Sequence, residues 1–244
     1  MSGAIALPTR RDEAWRYADL AALEALWPLP APESIVVPAG SQFARTIMQD
    51  AGGVVRIKLS LGKGATAAVH VLNTGGEYGR VELDVTCHEG ADFTLGAAQL
   101  GGSSQTLEIA SVVRHVEPGA TSRQIVRSVL AGHATGTCLG KVAVARGADG
   151  TDAAQSVRAM LLDRTATANA KPELEIYADD VKCAHGCAVG ELDQTGLFYL
   201  QSRGLPPADA KKLMLQAFVA EAFAGAGDED RLLALALERL EALV

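Results

Sequence analysis

The hydrophobic period along the chain changes twice. Between Thr9 and about Leu26, Trp15, Leu20, Leu23 and Leu26 recur at roughly helical spacing, with Thr9 placed as an N-cap and Asp12 three positions on. This predicts a short amphipathic helix, ended by the prolines of "WPLPAP", which lack the N–H a helix needs.

From about Ile35 to Val189 the period becomes two. "VVRIKLSL", "AAVHVL" and "RVELDVTC" alternate, "TLEIASVVRHV" alternates with a slip in its middle, and Gly, Asn or Asp bounds nearly every run. The pattern predicts a long array of short strands. Within it a Gly-Ala pair recurs at Gly64, Gly90, Gly119 and Gly147, at separations of 26, 29 and 28 residues. Such intervals point to stacked supersecondary units, with each glycine supplying the backbone freedom of a corner. A sandwich would place its turn signals every 8–12 residues or so. Aromatic residues make up only 5% of the chain and small residues abound, so a narrow interior and a β-solenoid are expected.

After Asp193 the period is helical again. Asp193 is a cap candidate, Leu197, Phe198 and Leu200 form a face, and Gly204 marks a stop. A second helix carries Leu213, Leu215, Phe218, Val219, Ala222 and Phe223, and a third, starting near Asp228 or Asp230, closes the chain. The expected organisation is a helical region at 1–34, a β core at 35–190 and a helical domain at 191–244.

Charge and composition narrow the function. A net charge of −7 lacks the basic field that phosphate neutralisation requires, so nucleic-acid binding is not expected. No apolar run reaches the roughly 18 residues of a membrane span, and the N-terminus turns charged too early for a signal sequence; a cytoplasmic location is expected, with Cys87, Cys138, Cys183 and Cys187 reduced. The chain shows no G-x-S-x-G, H-E-x-x-H, C-x-x-C or phosphate-loop motif, and "GKGAT" reads as a solvated turn. A β-helical enzyme would need an acid/base cluster on one face, and none is visible.

One stretch concentrates chemistry: "DDVKCAHGCAVGELD", Asp179 to Asp193. If extended, it places Val181, Cys183, His185, Cys187 and Val189 on one face. Neighbours on that face stand about 6.5–7 Å apart and the two cysteines about 13 Å, against metal–ligand bonds of about 2.0–2.3 Å. One ion cannot bridge both cysteines on a flat strand. Two alternatives stay open: buried thiols and a structural histidine, or half of a site completed by a second protein. His70, His88, His115 and His133 lack ligand spacing and are expected to be structural, and Cys87 and His88 should point to opposite faces.

The run from "DDVKCAHG" through "LFYLQSRGLPPADAKKLMLQAF", with the opening "LPTRRDEAWRYADL", resembles the SufD-like branch of the SufB/SufD family, scaffold components of iron–sulfur cluster assembly. The resemblance implies a right-handed parallel β-helix between helical ends, and a non-enzymatic role. It implies pairing with SufB through the β-helix and binding of the ATPase SufC through the C-terminal helices, with a homodimer as the form adopted without those partners. By the family's K-C-x-H-G motif, His185 and, with it, Cys183 are the candidate ligands for iron or a transient cluster shared with SufB; the isolated chain holds no stable cofactor. Phe198, Tyr199, Arg203, Leu213 and Phe218 fall in the region that resembles the SufC-docking helices. The alternative is a purely structural partner that stabilises SufB and recruits SufC without touching iron. The chain is short for this family.

Overall fold

The computed structural model describes residues 6–244. Twelve strands alternate between two parallel six-stranded sheets: β1 (Glu33–Val37), β3 (Gly53–Leu61), β5 (Tyr78–Cys87), β7 (Thr106–His115), β9 (Thr135–Val144) and β11 (Thr167–Ile176) form one, and β2 (Gln42–Gln49), β4 (Thr66–Asn73), β6 (Asp92–Gly101), β8 (Thr121–Leu130), β10 (Asp152–Leu161) and β12 (Lys182–Gly190) the other. Every strand pairs with the strand two places away, so the chain winds as a β-solenoid. The two sheets face each other across one apolar interior of Val69, Leu83, Val85, Phe93, Leu95 and Ile109.

The recurring Gly-Ala pair makes the corners. Gly64, Gly90, Gly119 and Gly147 adopt φ of 63°, 62°, 72° and 78°, where a side chain is strained, and Ala65, Ala91, Ala120 and Ala148 are each buried. The corners also stack: the Gly64 N–H donates to the Glu89 carbonyl, that of Gly90 to Pro118, and that of Gly119 to Asp149. Gly40, with φ 67° and its N–H on the Lys63 carbonyl, is a further corner that the pattern hides because Ser41 follows it.

Two expectations are corrected. The slip in "TLEIASVVRHV" does not exist: β7 keeps unbroken register with β5 and β9, and Ser111 occupies an inward position. It is polar there because its hydroxyl donates to Gln124 Oε1 across the interior at 2.7 Å. The N-terminal helix is also not continuous. Asp12 accepts from the Thr9 N–H at 2.7 Å, so Thr9 caps nothing; Glu13–Trp15 is a single 3-10 turn, and the helix proper is α1 (Leu20–Leu26), capped by Asp19 through Ala21 and Ala22 N–H at 3.1 Å. Tertiary contact overrides the local pattern here, because the Arg80 guanidinium lies 3.9 Å over the Trp15 ring.

Arg80 rises from the outer face of the odd-numbered sheet beneath this N-terminal segment, where it pairs with Glu82 and the buried Glu108. The outer face of the even-numbered sheet is covered by α2 (Gln194–Ser202), α3 (Pro207–Ala220) and α4 (Glu229–Glu241). Asp193 caps α2 through Thr195 and Gly196 N–H, and Gly204 ends it at φ 96°. Leu215, Val219, Phe223, Leu232 and Leu240 pack on Leu72, Leu100 and Val129. Gly96 permits this docking, since a Cβ there would collide with the carbonyl oxygen of Ala222. Buried Arg127 reaches out to Glu221 at 2.7 Å and fastens the end of α3 to the sheet.

Candidate functional site

β12 ends the even-numbered sheet and pairs only with β10 among the described residues, setting Cys183, His185, Cys187 and Val189 beside Ala153, Gln155, Val157 and Ala159. Those four β10 residues are all buried between the sheets. In-register neighbours share a face, so the Cys183, His185, Cys187 and Val189 column belongs to the solenoid interior, in its last coil, where no further coil covers it.

The backbone of β12 is exposed in the complementary sense. The Lys182 N–H donates to the Thr151 carbonyl on the β10 side. In a parallel ladder a residue's N–H and C=O point the same way, alternating along the strand. Lys182, Ala184, Gly186 and Ala188 therefore face β10, and Cys183, His185, Cys187 and Val189 present their amides to the open edge. The residues that carry sulfur and imidazole are thus also the ones with free backbone groups.

The neighbouring edge is different. In β11 the Thr167 and Tyr177 N–H groups donate to Ala134 and Val144 of β9, so odd-numbered residues face the sheet and Pro172 faces outward. A proline at that position removes an edge donor, which is how sheets discourage pairing. β12 carries no such block. Ile176, Tyr177 and Val189 add exposed apolar surface at the same end of the molecule.

The thiols differ in setting. Cys183 is half-buried, packs with Val142, Val144, Ala153 and Leu174, and its pKa is pushed up mainly by that burial. Cys187 is exposed, and Cys138 lies buried on β9, its thiol pushed up to about 12 by burial, with a smaller contribution from Cys187. Among the described residues no three His, Cys, Asp or Glu side chains gather to hold a metal. The chain alone brings His185 and Cys183 to one column but does not assemble a closed ligand set.

The remaining histidines have other neighbours. His70 is buried against the Ala224 backbone, His115 Nε2 lies 2.9 Å from Ser122 Oγ, and His88 Nδ1 lies 3.2 Å from Glu117. Cys87 is buried while His88 is not.

On the helices, Phe198 and Tyr199 of α2 are 71% and 55% exposed, Leu213 of α3 is exposed, and the Arg203 guanidinium lies 5.3 Å over the Tyr199 ring. These form an apolar face turned away from the sheet. Phe218 does not join them: it is partly buried in the helix–sheet core, with Arg127 5.8 Å over its ring.

One group was not anticipated. Gln124, Gln155 and His185 occupy consecutive places in one interior column, in register from β8 to β10 to β12. Their separations of 31 and 30 residues match the coil period, which is the signal that a search for recurring polar types would use.

Residues 34–218 match the family described as "SUF system FeS cluster assembly, SufBD core domain". The chain belongs to the SufBD family. It is 31% identical over 172 residues to the iron-sulfur cluster assembly protein SufD of Escherichia coli, covering 70% of this chain and 41% of that protein. It is 37% identical over 153 residues to the chloroplastic protein ABCI7 of Arabidopsis thaliana, covering 62% of this chain and 32% of that one, and 33% identical over 174 residues to a SufBD family protein of Synechocystis, covering 70% and 38%. The chain therefore spans less than half the length of these relatives. Its match in the SufBD family includes the whole solenoid from β2 onward, the β12 edge, α2 and most of α3.

Proposed function

We propose that this SufD homologue is a scaffold component of iron–sulfur cluster assembly that pairs with SufB through the β12 edge and there contributes His185 to a shared site for iron or a nascent cluster. The observation that carries the reading is the coincidence on β12 of an unblocked edge with an interior column of Cys183, His185 and Cys187 that no coil closes. A strand added to that edge would satisfy the free backbone groups and bring a second set of side chains over the column, the usual gain of strand addition. Iron is cargo here. His185 supplies a neutral imidazole ligand, and Cys183 is a weaker candidate because burial disfavours its thiolate.

The exposed face of Phe198, Tyr199 and Leu213, with Arg203, is the proposed docking surface for the ATPase SufC; Phe218 supports it from beneath. Docking there lies close to the sheet through Arg127 and Glu221, which gives movement of the helices a mechanical route to the solenoid. No described helix is long and apolar enough to cross a membrane, and we assign the work to the cytoplasm.

The test is iron and acid-labile sulfide per complex after anaerobic coexpression with SufB and SufC, comparing wild type with His185→Ala at equal complex yield. Collapse of the cluster content with the complex intact supports the shared site. Unchanged content leaves a purely structural partner that stabilises SufB and recruits SufC.

A further inference from the structure

Gln155 is 5% exposed, and neither its Oε1 nor its Nε2 has a hydrogen-bond partner among the described residues. A buried carboxamide with both ends unsatisfied is costly and calls for a reason. Its surroundings show where a partner can come from. Across the interior stands Gly140, where a Cβ would lie 3.1 Å from Gln155 Nε2, so the opposite sheet yields space and no polar group. On the β8 side stands Gln124, whose Oε1 already accepts from Ser111 at 2.7 Å and whose Nε2 is also unpartnered. On the other side, in register and on the same face, stands His185. Adjacent strands lie about 4.8 Å apart, well within the reach of a glutamine side chain toward an imidazole.

We propose that Gln155 is a positioning residue for His185: its carboxamide oxygen accepts from one ring N–H of His185 and leaves the other ring nitrogen as a lone pair toward the open edge. This rests on the reading of His185 as a ligand. A ligating imidazole is neutral, and the nitrogen that carries the proton is set by the hydrogen bond its partner nitrogen makes. Gln155 suits that task because it stays uncharged at any physiological pH and has no competing partner. Gly140 keeps the amide free to turn toward β12. The burial of Gln155 holds it in place while His185, exposed at the edge, remains accessible to a partner.

The test uses the full chain labelled with [15N]histidine at about pH 8, where the imidazole is neutral. Two-bond proton–nitrogen spectra report the tautomer, and the His185 signal is identified by its loss in His185→Gln. In wild type one tautomer dominates. Gln155→Leu, which keeps the volume and removes the unsatisfied amide, folds and shifts the tautomer ratio about fivefold, the factor expected from one hydrogen bond. Gln124→Leu, one strand further away, leaves the ratio in place, which separates positioning from a general loosening of the interior. An unchanged ratio in Gln155→Leu, or an equal shift in Gln124→Leu, overturns the proposal.

A second arm separates this from the role of His185 itself. In the coexpressed complex, Gln155→Leu lowers iron affinity about tenfold, within the range for loss of a partner to a ligating histidine. If His185→Ala leaves iron content unchanged while Gln155→Leu still shifts the tautomer, the ligand reading fails and the positioning stands. If His185→Ala abolishes iron and Gln155→Leu moves neither tautomer nor affinity, the positioning fails and the ligand reading stands.

Discussion

Two polar columns run through the same solenoid and have opposite characters. Toward the second corner, Asn73, Gln99 and Ser128 stand in register on β4, β6 and β8. Asn73 Nδ2 donates to the carbonyls of Gly79 and Glu108, Gln99 Nε2 to that of Thr137, and the Ser128 hydroxyl to Gln99 Oε1. Two positions along the strand direction from Ser128 begins the path to the other column, Gln124, Gln155 and His185, where Gln124 Nε2 and both polar atoms of Gln155 have no partner among the described residues. The first column lies mid-solenoid, with coils on both sides and turn backbone within reach. The second runs toward the open end. Satisfied polar groups specify how coils stack, whereas unsatisfied ones, stepping toward an uncovered edge, mark where something is still to be added.

The most severe way to break this contrast is Asn73→Leu. It leaves the Gly79 and Glu108 carbonyls buried without a donor, and should cost about 4 kcal/mol, at roughly 1–3 kcal/mol for each orphaned group. A urea unfolding series measures it, and a loss under about 1 kcal/mol would show that the column is not structural.

His115 is the intermediate case, with Nε2 near Ser122 and Nδ1 unpartnered. Burial pulls its pKa down to about 4, below the ordinary value of 6.5. The unfolded chain therefore binds the proton first as pH falls. Stability from this group is complete above about pH 6.5 and is lost as pH drops toward about 4, by roughly 3 kcal/mol at most. Unfolding midpoints across that window should fall in wild type and stay flatter in His115→Gln.

Gln155→Leu sharpens the comparison by reversing sign. Removing an amide that satisfies nothing should leave stability unchanged or raise it by about 1 kcal/mol. The same urea series decides this, and a loss of more than about 2 kcal/mol would mean that Gln155 has a structural partner after all. The smallest effect belongs to His185→Ala, at an exposed position, which should alter the midpoint of the isolated chain by no more than about 0.5 kcal/mol while acting on the cluster content of the complex.

Much of the architecture was legible because it is written in local terms. The corners at Gly64, Gly90, Gly119 and Gly147 need a backbone that only glycine adopts cheaply and an alanine small enough to turn inward, so the same pair recurs wherever the chain bends. The placing of Cys183, His185 and Cys187 on one face followed from the period of a strand. Harder to read were positions whose residue type answers to a neighbour distant in sequence. Ser111 looked like a slip because its partner, Gln124, lies on the opposite sheet. Trp15 looked like part of a helix because the Arg80 side chain that holds it lies far along the chain. Phe198 and Phe218 belong to similar apolar patterns, yet one faces solvent and the other the sheet, which depends on where Gly96 lets α3 settle.

The sequence by itself determined the winding, the corner chemistry, the caps at Asp193 and Gly204 and the chemical content of β12, since each depends on backbone conformation or on residues within one turn or strand. Only the tertiary structure decided that β12 is the last strand, that Pro172 blunts the edge beside it and that Gln155 stands in register with His185. Those facts concern which coil lies over which, and sheet neighbours here are separated by about one full coil of chain, beyond the reach of any local pattern.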